Sequence, residues 1–313
     1  MNRLQLPADA IMDVVKKTDG LTIAIPTYCR EHVLLETVHH LISLNVPSSE
    51  ILVLDQSASH LPQVQSELSR LDAVGQIRLI KLNQPSIPRA MNCGLVEARH
   101  DLVLFVDDDI IPEATLIRAH LRAHAYSKGR IVAGRVIQPW QEGIDFSQDR
   151  SFHFASLQSR EIDDFIGTNF SLGRHEAIAL GGFDENFVSV AYRYEAEFAY
   201  RWRAAGYHII FEPEACLHHL KASGGTRAFG NHLTTIRPDH SVGAYYFFLR
   251  TWCGSSTLKS IVNRLFGAIA TKYHLKRPWR MPPTLISEFR GLIWACRLAW
   301  TGPKYITGEI NGS

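Results

Sequence analysis

The stretch Leu102-Val-Leu-Phe-Val-Asp-Asp-Asp-Ile-Ile-Pro112 constrains the fold more than any other part of the chain. Its first half is a short aliphatic, β-branched and aromatic run, the composition of a strand buried on both faces. It empties into Asp107, Asp108 and Asp109. Adjacent carboxylates repel one another, so the end of a buried strand tolerates three of them only beside a cation, a ring of donors or open water. Pro112, with a fixed φ and no N–H to lose, is placed to open a helix directly afterwards. The stretch predicts a strand, an acidic corner and a helix, at the carboxyl edge where open α/β sheets hold ligands. A solvated acidic turn is the plain alternative.

Three earlier runs repeat the pattern. Residues 21–26, 51–55 and 77–82 read as strands, the second again ending in a carboxylate, Asp55. Between them Leu34, Val38, Leu41 and Ile42 recur at helical spacing, and residues 61–71 and 86–98 read as helices. Strands interleaved with helices predict an α/β fold with a mostly parallel sheet and right-handed crossovers, which sets Asp55 and the acidic triplet on one edge. Further on, a helix is expected over 116–124 and strands over 130–138, 165–173 and 207–211. Residues 140–163 are polar and irregular, suited to a substrate loop. A helix is expected over 193–205, and Pro213 to His219 reads as a lead into the Gly-containing loop 223–227. From His240 the chain is helical and amphipathic, interrupted by Pro278, Pro282 and Pro283. The organisation expected is a lead-in (1–20), a catalytic domain (21–238, with halves at 21–110 and 111–238) and a helical basic extension (239–313).

A formal charge of +2 over 313 residues gives no bulk signal for nucleic acid. The charge is uneven, however. After residue 257 nine cations, from Lys259 to Lys304, face only Glu288 and Glu309, among several tryptophans. Such an extension suits peripheral contact with an anionic membrane, and packing on the catalytic domain accounts for the aromatics equally well. Five scattered cysteines without a CxxC pair fit reduced thiols and neither a disulfide framework nor a zinc site. The N-terminus lacks the apolar core of a signal peptide, and no run of about 18 apolar residues predicts a membrane span. A cytoplasmic protein is expected, at most peripheral on the membrane.

Ile23-Ala-Ile-Pro-Thr-Tyr-Cys-Arg30, Leu52-Val-Leu-Asp-Gln-Ser57, Pro88-Arg-Ala-Met-Asn-Cys-Gly94, the acidic triplet and Gly181-Gly-Phe-Asp-Glu185 occur in that order. Tyr194-Glu-Ala-Glu-Phe-Ala-Tyr-Arg201 and Pro213-Glu-Ala, followed by His218 and His219, continue the series. Together they resemble the ordered motifs of the family 2 glycosyltransferases. The resemblance runs from about residue 21 to 227. It implies a GT-A-like fold, a nucleotide-diphosphate sugar donor, a glycan or lipid-linked acceptor, a divalent metal (Mn2+ or Mg2+), and inversion at the anomeric carbon in glycan or polysaccharide biosynthesis.

The residue types suit that chemistry. A hard divalent ion held by one or two carboxylates and phosphate oxygens neutralises a departing diphosphate. The resemblance offers Asp107, near the ribose and the metal, and Asp109 as direct ligand, with Asp108 assisting or merely solvated. His219, or else His218, would complete the metal shell, although a lone histidine is more often a packing or surface residue. Asp55 resembles the acid that receives the donor's base, with an Asx turn as its structural alternative. Thr27 and Arg30 are candidate nucleotide contacts, and Arg89 and Arg227 would face the diphosphate, the latter from a glycine-hinged lid. Asp184 would bind acceptor hydroxyls or cap the next segment.

The acceptor hydroxyl needs a positioned base. Counting back from Arg201 puts Glu195 at that position, where the family more often has Asp preceded by Glu; here Tyr194 precedes it. Glu197 is the second candidate, but residues two apart on a helix diverge, so both cannot point at one proton. The other readings are a sugar-phosphate nucleotidyltransferase, against which stands the lack of a Gly-rich, Lys-containing phosphate loop, and a non-catalytic nucleotide-sugar-binding protein. No GxGxxG follows the first strand, which argues against a dinucleotide-binding dehydrogenase.

Overall fold

The computed structural model describes residues 20–46, 49–125, 129–149, 151–225, 229 and 231–306. Strands β1 (Thr22–Thr27), β2 (Glu50–Asp55), β3 (Arg78–Lys81) and β4 (Leu102–Val106) alternate with helices α1 (His32–Ser43), α2 (Pro62–Ala73) and α3 (Ile87–Glu97). They pair in parallel in the order β3-β2-β1-β4. The apolar runs form strands because both their faces are covered. Leu52, Val53, Leu54, Val103, Leu104 and Phe105 are fully buried.

Beyond β4 the sheet becomes mixed. β8 (Asn169–Gly173) is antiparallel to β4, and β6 (Arg130–Ile137) is antiparallel to β8 and parallel to β9 (His208–His219). A two-residue strand β7 (Arg160–Glu161) and β5 (Ile110–Pro112) flank β9. On one face α1, α2 and α4 (Leu116–Ala125) pack through Leu34, Val38, Leu68, Leu71 and Leu121. The other face is aromatic. Phe105, Phe170, Phe183 and Phe198 join Trp202 beneath α3, α5 (Arg174–Ala179) and α6 (Tyr194–Ala204). α3 reaches the sheet through Gly94, where a Cβ would stand 2.9 Å from Phe105 and 3.1 Å from Leu54. The C-terminal helices α7 (Val242–Arg250), α8 (Ser255–Ile269), α9 (Lys272–Lys276) and α10 (Met281–Thr301) add Tyr245, Ile261 and Ala295 to this same core.

Three expectations are corrected. Pro112 does not open a helix: Ile110 to Pro112 pair with Leu217 to His219, and the helix starts at Leu116. The backbone amide of Glu113 donates to Cys216 O and the Thr115 hydroxyl to Glu214 O, so β9 holds the segment extended until Leu116. The strand expected over 207–211 likewise does not stop short of Pro213, and residues 213–219 are not a lead into a loop. β9 runs on to His219 through an irregularity, in which Gly134 faces Glu212 and Arg135 faces Cys216. Pro213, which has no N–H to give the ladder, sits in that irregularity and breaks no pairing. The strand expected from Phe165 begins only at Asn169. These departures bring His219 beside Asp109.

Candidate active site

The carboxyl ends of β1, β2 and β4, the tip of β9 and the start of α6 border a cleft of about 650 Å³. Its wall carries Thr27, Arg30, Gln56, Asp107, Asp108, Asp109, Glu195 and His219. Asp107, Asp109 and His219 offer ligand atoms that all lie within 4.8 Å of one another. His219 Nε2 is 3.2 Å from Asp109 Oδ1 and 3.5 Å from Asp107 Oδ2. Strand register selects this histidine: Ile110 pairs with His219, and successive side chains of β9 point to opposite faces. His218 turns outward between Glu113 and Glu142, 2.9 and 2.7 Å away.

The triplet is held from several sides. Asp107 accepts from the Thr168 hydroxyl at 2.8 Å. Asp108, 7% exposed, accepts from Thr27 Oγ1 at 2.7 Å and from Arg30 Nε at 3.1 Å. It works as the tie between β1 and β4. Asp109, 1% exposed, accepts from Arg30 Nη2 at 3.3 Å and from the Ala222 amide at 2.8 Å. Burial acts against its charge, but His219, Arg30 and Ala222 outweigh it and hold the carboxyl below its usual value. The remaining Arg30 nitrogen donates to Ser223 O, which fastens the start of the Gly224-Gly225 loop to the acids. Arg227 lies outside the described residues.

Across the cleft, Glu195 stands in the first turn of α6. Burial pushes its carboxyl up to about 8, with the Asp164 and Asp107 charges adding to the effect against the opposing hydrogen bonds of its own and the Gly167 backbone. Gly167 is required by proximity. A Cβ there would run into the Tyr194 hydroxyl and stand 3.2 Å from Glu195 Oε1. Tyr194 itself is a core residue, edge-on to Phe183 at 5.8 Å. Glu197 is 1% exposed and turned away, bonded to Arg201 Nε at 2.8 Å, and that guanidinium also donates to Leu180 O and Gly182 O. The two glutamates diverge as the helical spacing requires.

The family model described as Glycosyl transferase family 2 matches residues 22–184, just over half of the chain. The chain belongs to glycosyl transferase family 2. No curated protein sequence matches it significantly. Its fold is similar to that of GalNAc-T7 with UDP, GalNAc and Mn2+ (TM-score 0.60, 11% identity), covering 91% of this chain and 56% of that one. It is also similar to residues 1–349 of S. aureus TarS in complex with UDP-GlcNAc (TM-score 0.60, 16% identity, 89% and 82% covered). A third similar structure is the mannosyltransferase PcManGT from Pyrobaculum calidifontis in complex with GDP-Man and Mn2+ (TM-score 0.51, 16% identity, 91% and 88% covered). The GT-A-like α/β fold expected from the sequence is the fold found.

Three other candidates of this family 2 glycosyltransferase stand apart from the cleft wall. Asp55, completely buried, accepts from the Ser57 amide (2.9 Å), His60 (2.9 Å) and Lys81 (2.6 Å), an Asx turn that fixes Gln56 and Ser57. Arg89 is exposed, 3.3 Å from Gln84. Asp184 accepts from Tyr246 Oη (2.6 Å) and from the Asn186 and Lys304 amides (3.0 and 2.9 Å), with Arg250 3.7 Å away. Asp184 therefore clamps the C-terminal segment onto the domain. Asp184→Ala leaves buried donors without partners and is expected to lower stability by about 3–5 kcal/mol, read as a lower urea midpoint with unchanged m. A near-wild-type midpoint would remove this role.

Sequence reasoning missed Thr168, Gln56 and the Ala222 amide. Thr168 and Gln56 are ordinary polar residues at strand ends, and only the pairing of β4 with β8 brings Thr168 to Asp107. The Ala222 amide carries no side-chain signal at all.

Proposed function

We propose that this protein transfers a sugar from a nucleoside-diphosphate donor to an acceptor hydroxyl of a glycan or lipid-linked chain, inverting the anomeric carbon, in glycan or polysaccharide biosynthesis. The observation that carries the reading is the convergence of Asp107, Asp109 and His219 on the cleft that Glu195 also borders. The donor set fits a divalent cation such as Mn2+ or Mg2+. Two carboxylates and an imidazole nitrogen, with His219 Nε2 3.2 Å from Asp109 Oδ1 and 3.5 Å from Asp107 Oδ2, would hold such an ion. His219 Nδ1 is buried without a hydrogen-bond partner among the described residues, while Nε2 faces the carboxylates. Such an ion, when bound, supplies charge neutralisation to the diphosphate as it leaves.

The protein's own groups do the rest. Thr27 and Arg30 hold Asp108 and Asp109 in place, so the acids do not rearrange as the donor arrives. The 55–57 turn, fixed by Asp55, borders the base with Gln56. Arg227, which follows the Gly-containing loop in sequence, is the cation this reading assigns to the diphosphate. Glu195 takes the proton of the acceptor hydroxyl as that oxygen bonds to the anomeric carbon and the carbon–diphosphate bond breaks. Arg89 and Asp184 have no direct role in this reading, and Glu197 has a structural one.

Thermal unfolding with a panel of UDP- and GDP-sugars, with and without Mn2+, tests the proposal. One donor at a hundred times its Kd is expected to add about 2.7 kcal/mol of stability, and only with the metal present. No metal-dependent shift with any donor would sink the assignment. A shift without sugar transfer across a broad acceptor panel would instead favour a binding protein.

A further inference from the structure

We propose that the outer face of α8, α9 and α10 is a docking surface for an anionic lipid bilayer. α10 buries Thr284, Ser287, Glu288, Gly291 and Ala295 and turns the opposite face to solvent. There Ile286, Phe289, Ile293 and Trp300 are exposed, Trp300 to 89%. At 100° per residue these four fall within a sector of about 60°, and Arg290 and Arg297 lie immediately beside it. α8, packed against α10, repeats the arrangement with Leu258, Val262 and Phe266 at intervals of four, Phe266 being 66% exposed and Lys259 flanking them. In the chain segment that joins the two helices Leu275 and Trp279 are exposed among Lys272, Lys276 and Arg280.

Charge decides the occupant. Residues 240–306 contain one acid, Glu288, and it is buried and consumed by Arg264 and the Tyr245 hydroxyl. The exposed face is therefore purely cationic around its apolar stripes. A second copy related by a two-fold axis would set these cations against their own kind with no acid to answer them. An anionic interface answers both features, because apolar and aromatic side chains enter the headgroup boundary while Lys and Arg pair with lipid phosphates. No helix among the described residues is long and apolar enough to cross a membrane, so the contact is peripheral. The inner side of α8 reaches the cleft wall, where Arg264 lies over Tyr192 at 5.8 Å, so the same helix that presents the apolar stripe outward borders the cleft inward. Docking there would hold the cleft mouth close to an acceptor at the membrane.

The test needs neither donor nor acceptor, so its outcome is independent of the transfer reaction. The full chain is sedimented with vesicles of phosphatidylcholine alone and of an equal mixture with phosphatidylglycerol, at low and high salt. Binding is expected to the mixed vesicles only and to fall as salt screens the charges. Arg290→Gln with Arg297→Gln is expected to weaken it about thirtyfold, at about 1 kcal/mol per cation. Phe266→Ser with Trp300→Ser is expected to abolish what remains at high salt. All four residues are exposed, so the unfolding midpoints should match the parent and certify folding. Failure to bind anionic vesicles, binding indifferent to both double variants, or a concentration-dependent dimer dissolved by Phe266→Ser would overturn the proposal.

Discussion

Replacing Asp109 by asparagine is expected to lower sugar transfer by about a thousandfold or more, the equivalent of several kcal/mol of charge stabilisation at the leaving diphosphate. The substitution keeps the shape of the side chain and changes what it offers. The Ala222 amide, 2.8 Å from Asp109 Oδ2, is satisfied by the new carbonyl oxygen. The NH2 group is then turned toward His219 Nε2, where it cannot hold a cation. Arg30 retains Asp108 and Ser223 O, so the fold should survive with a modest loss of stability. Mn2+ binding by calorimetry, in the absence of donor, gives a readout separate from turnover and is expected to disappear. An Asp109→Asn variant that binds Mn2+ and transfers sugar as well as the parent would remove Asp109 from the metal site. Arg30→Ala should weaken Mn2+ binding less, because it strips an orienting partner and no ligand.

The parallel half of the sheet was legible in the sequence because β1, β2 and β4 are buried on both faces and leave nearly unbroken apolar runs, while the edge strand β3 shows only Leu79 and Ile80 between two cations. The acidic corner was legible because three carboxylates need a reason to share a strand end. What failed were places where tertiary pairing overrides local preference. Pro112 favours a helix start, but the backbone groups of Leu217 to His219 reach residues 110–112 first. Pro213 favours a strand end, yet the register irregularity against β6 leaves its missing N–H without consequence. The choice between His218 and His219 depends on strand parity, and parity becomes readable only once β9 is known to continue. Asp55 and Asp184 were expected near substrate because a carboxylate at a strand end or glycine turn suits either a ligand or a structural bond. Their saturated hydrogen bonds belong to partners distant in sequence, Lys81 in one case and Tyr246 and Lys304 in the other.

Glu195→Gln is expected to reduce kcat by about 10²–10⁴, the usual contribution of a positioned base, while leaving donor affinity and Mn2+ binding near those of the parent. Glutamine occupies the same half-buried position and cannot take a proton. Because the base works only when ionised, kcat/KM should rise with pH as Glu195 loses its proton. Burial holds that pKa near 8 before any cation is bound, against an ordinary 4.5. Positive charge at Asp107 and Asp109 would draw it downward, so the rising limb should fall between these two values and flatten in the glutamine variant. A profile still rising there after the substitution would assign the base elsewhere. Glu195→Asp should retain a measurable fraction of the rate, since a shorter carboxylate at the same helical position still points into the cleft. Glu197→Gln offers the contrast. Its carboxylate faces Arg201, whose guanidinium is tied to the backbone carbonyls of Leu180 and Gly182, away from Glu195. The loss there should appear in the unfolding midpoint, with the pH profile of the remaining activity unchanged.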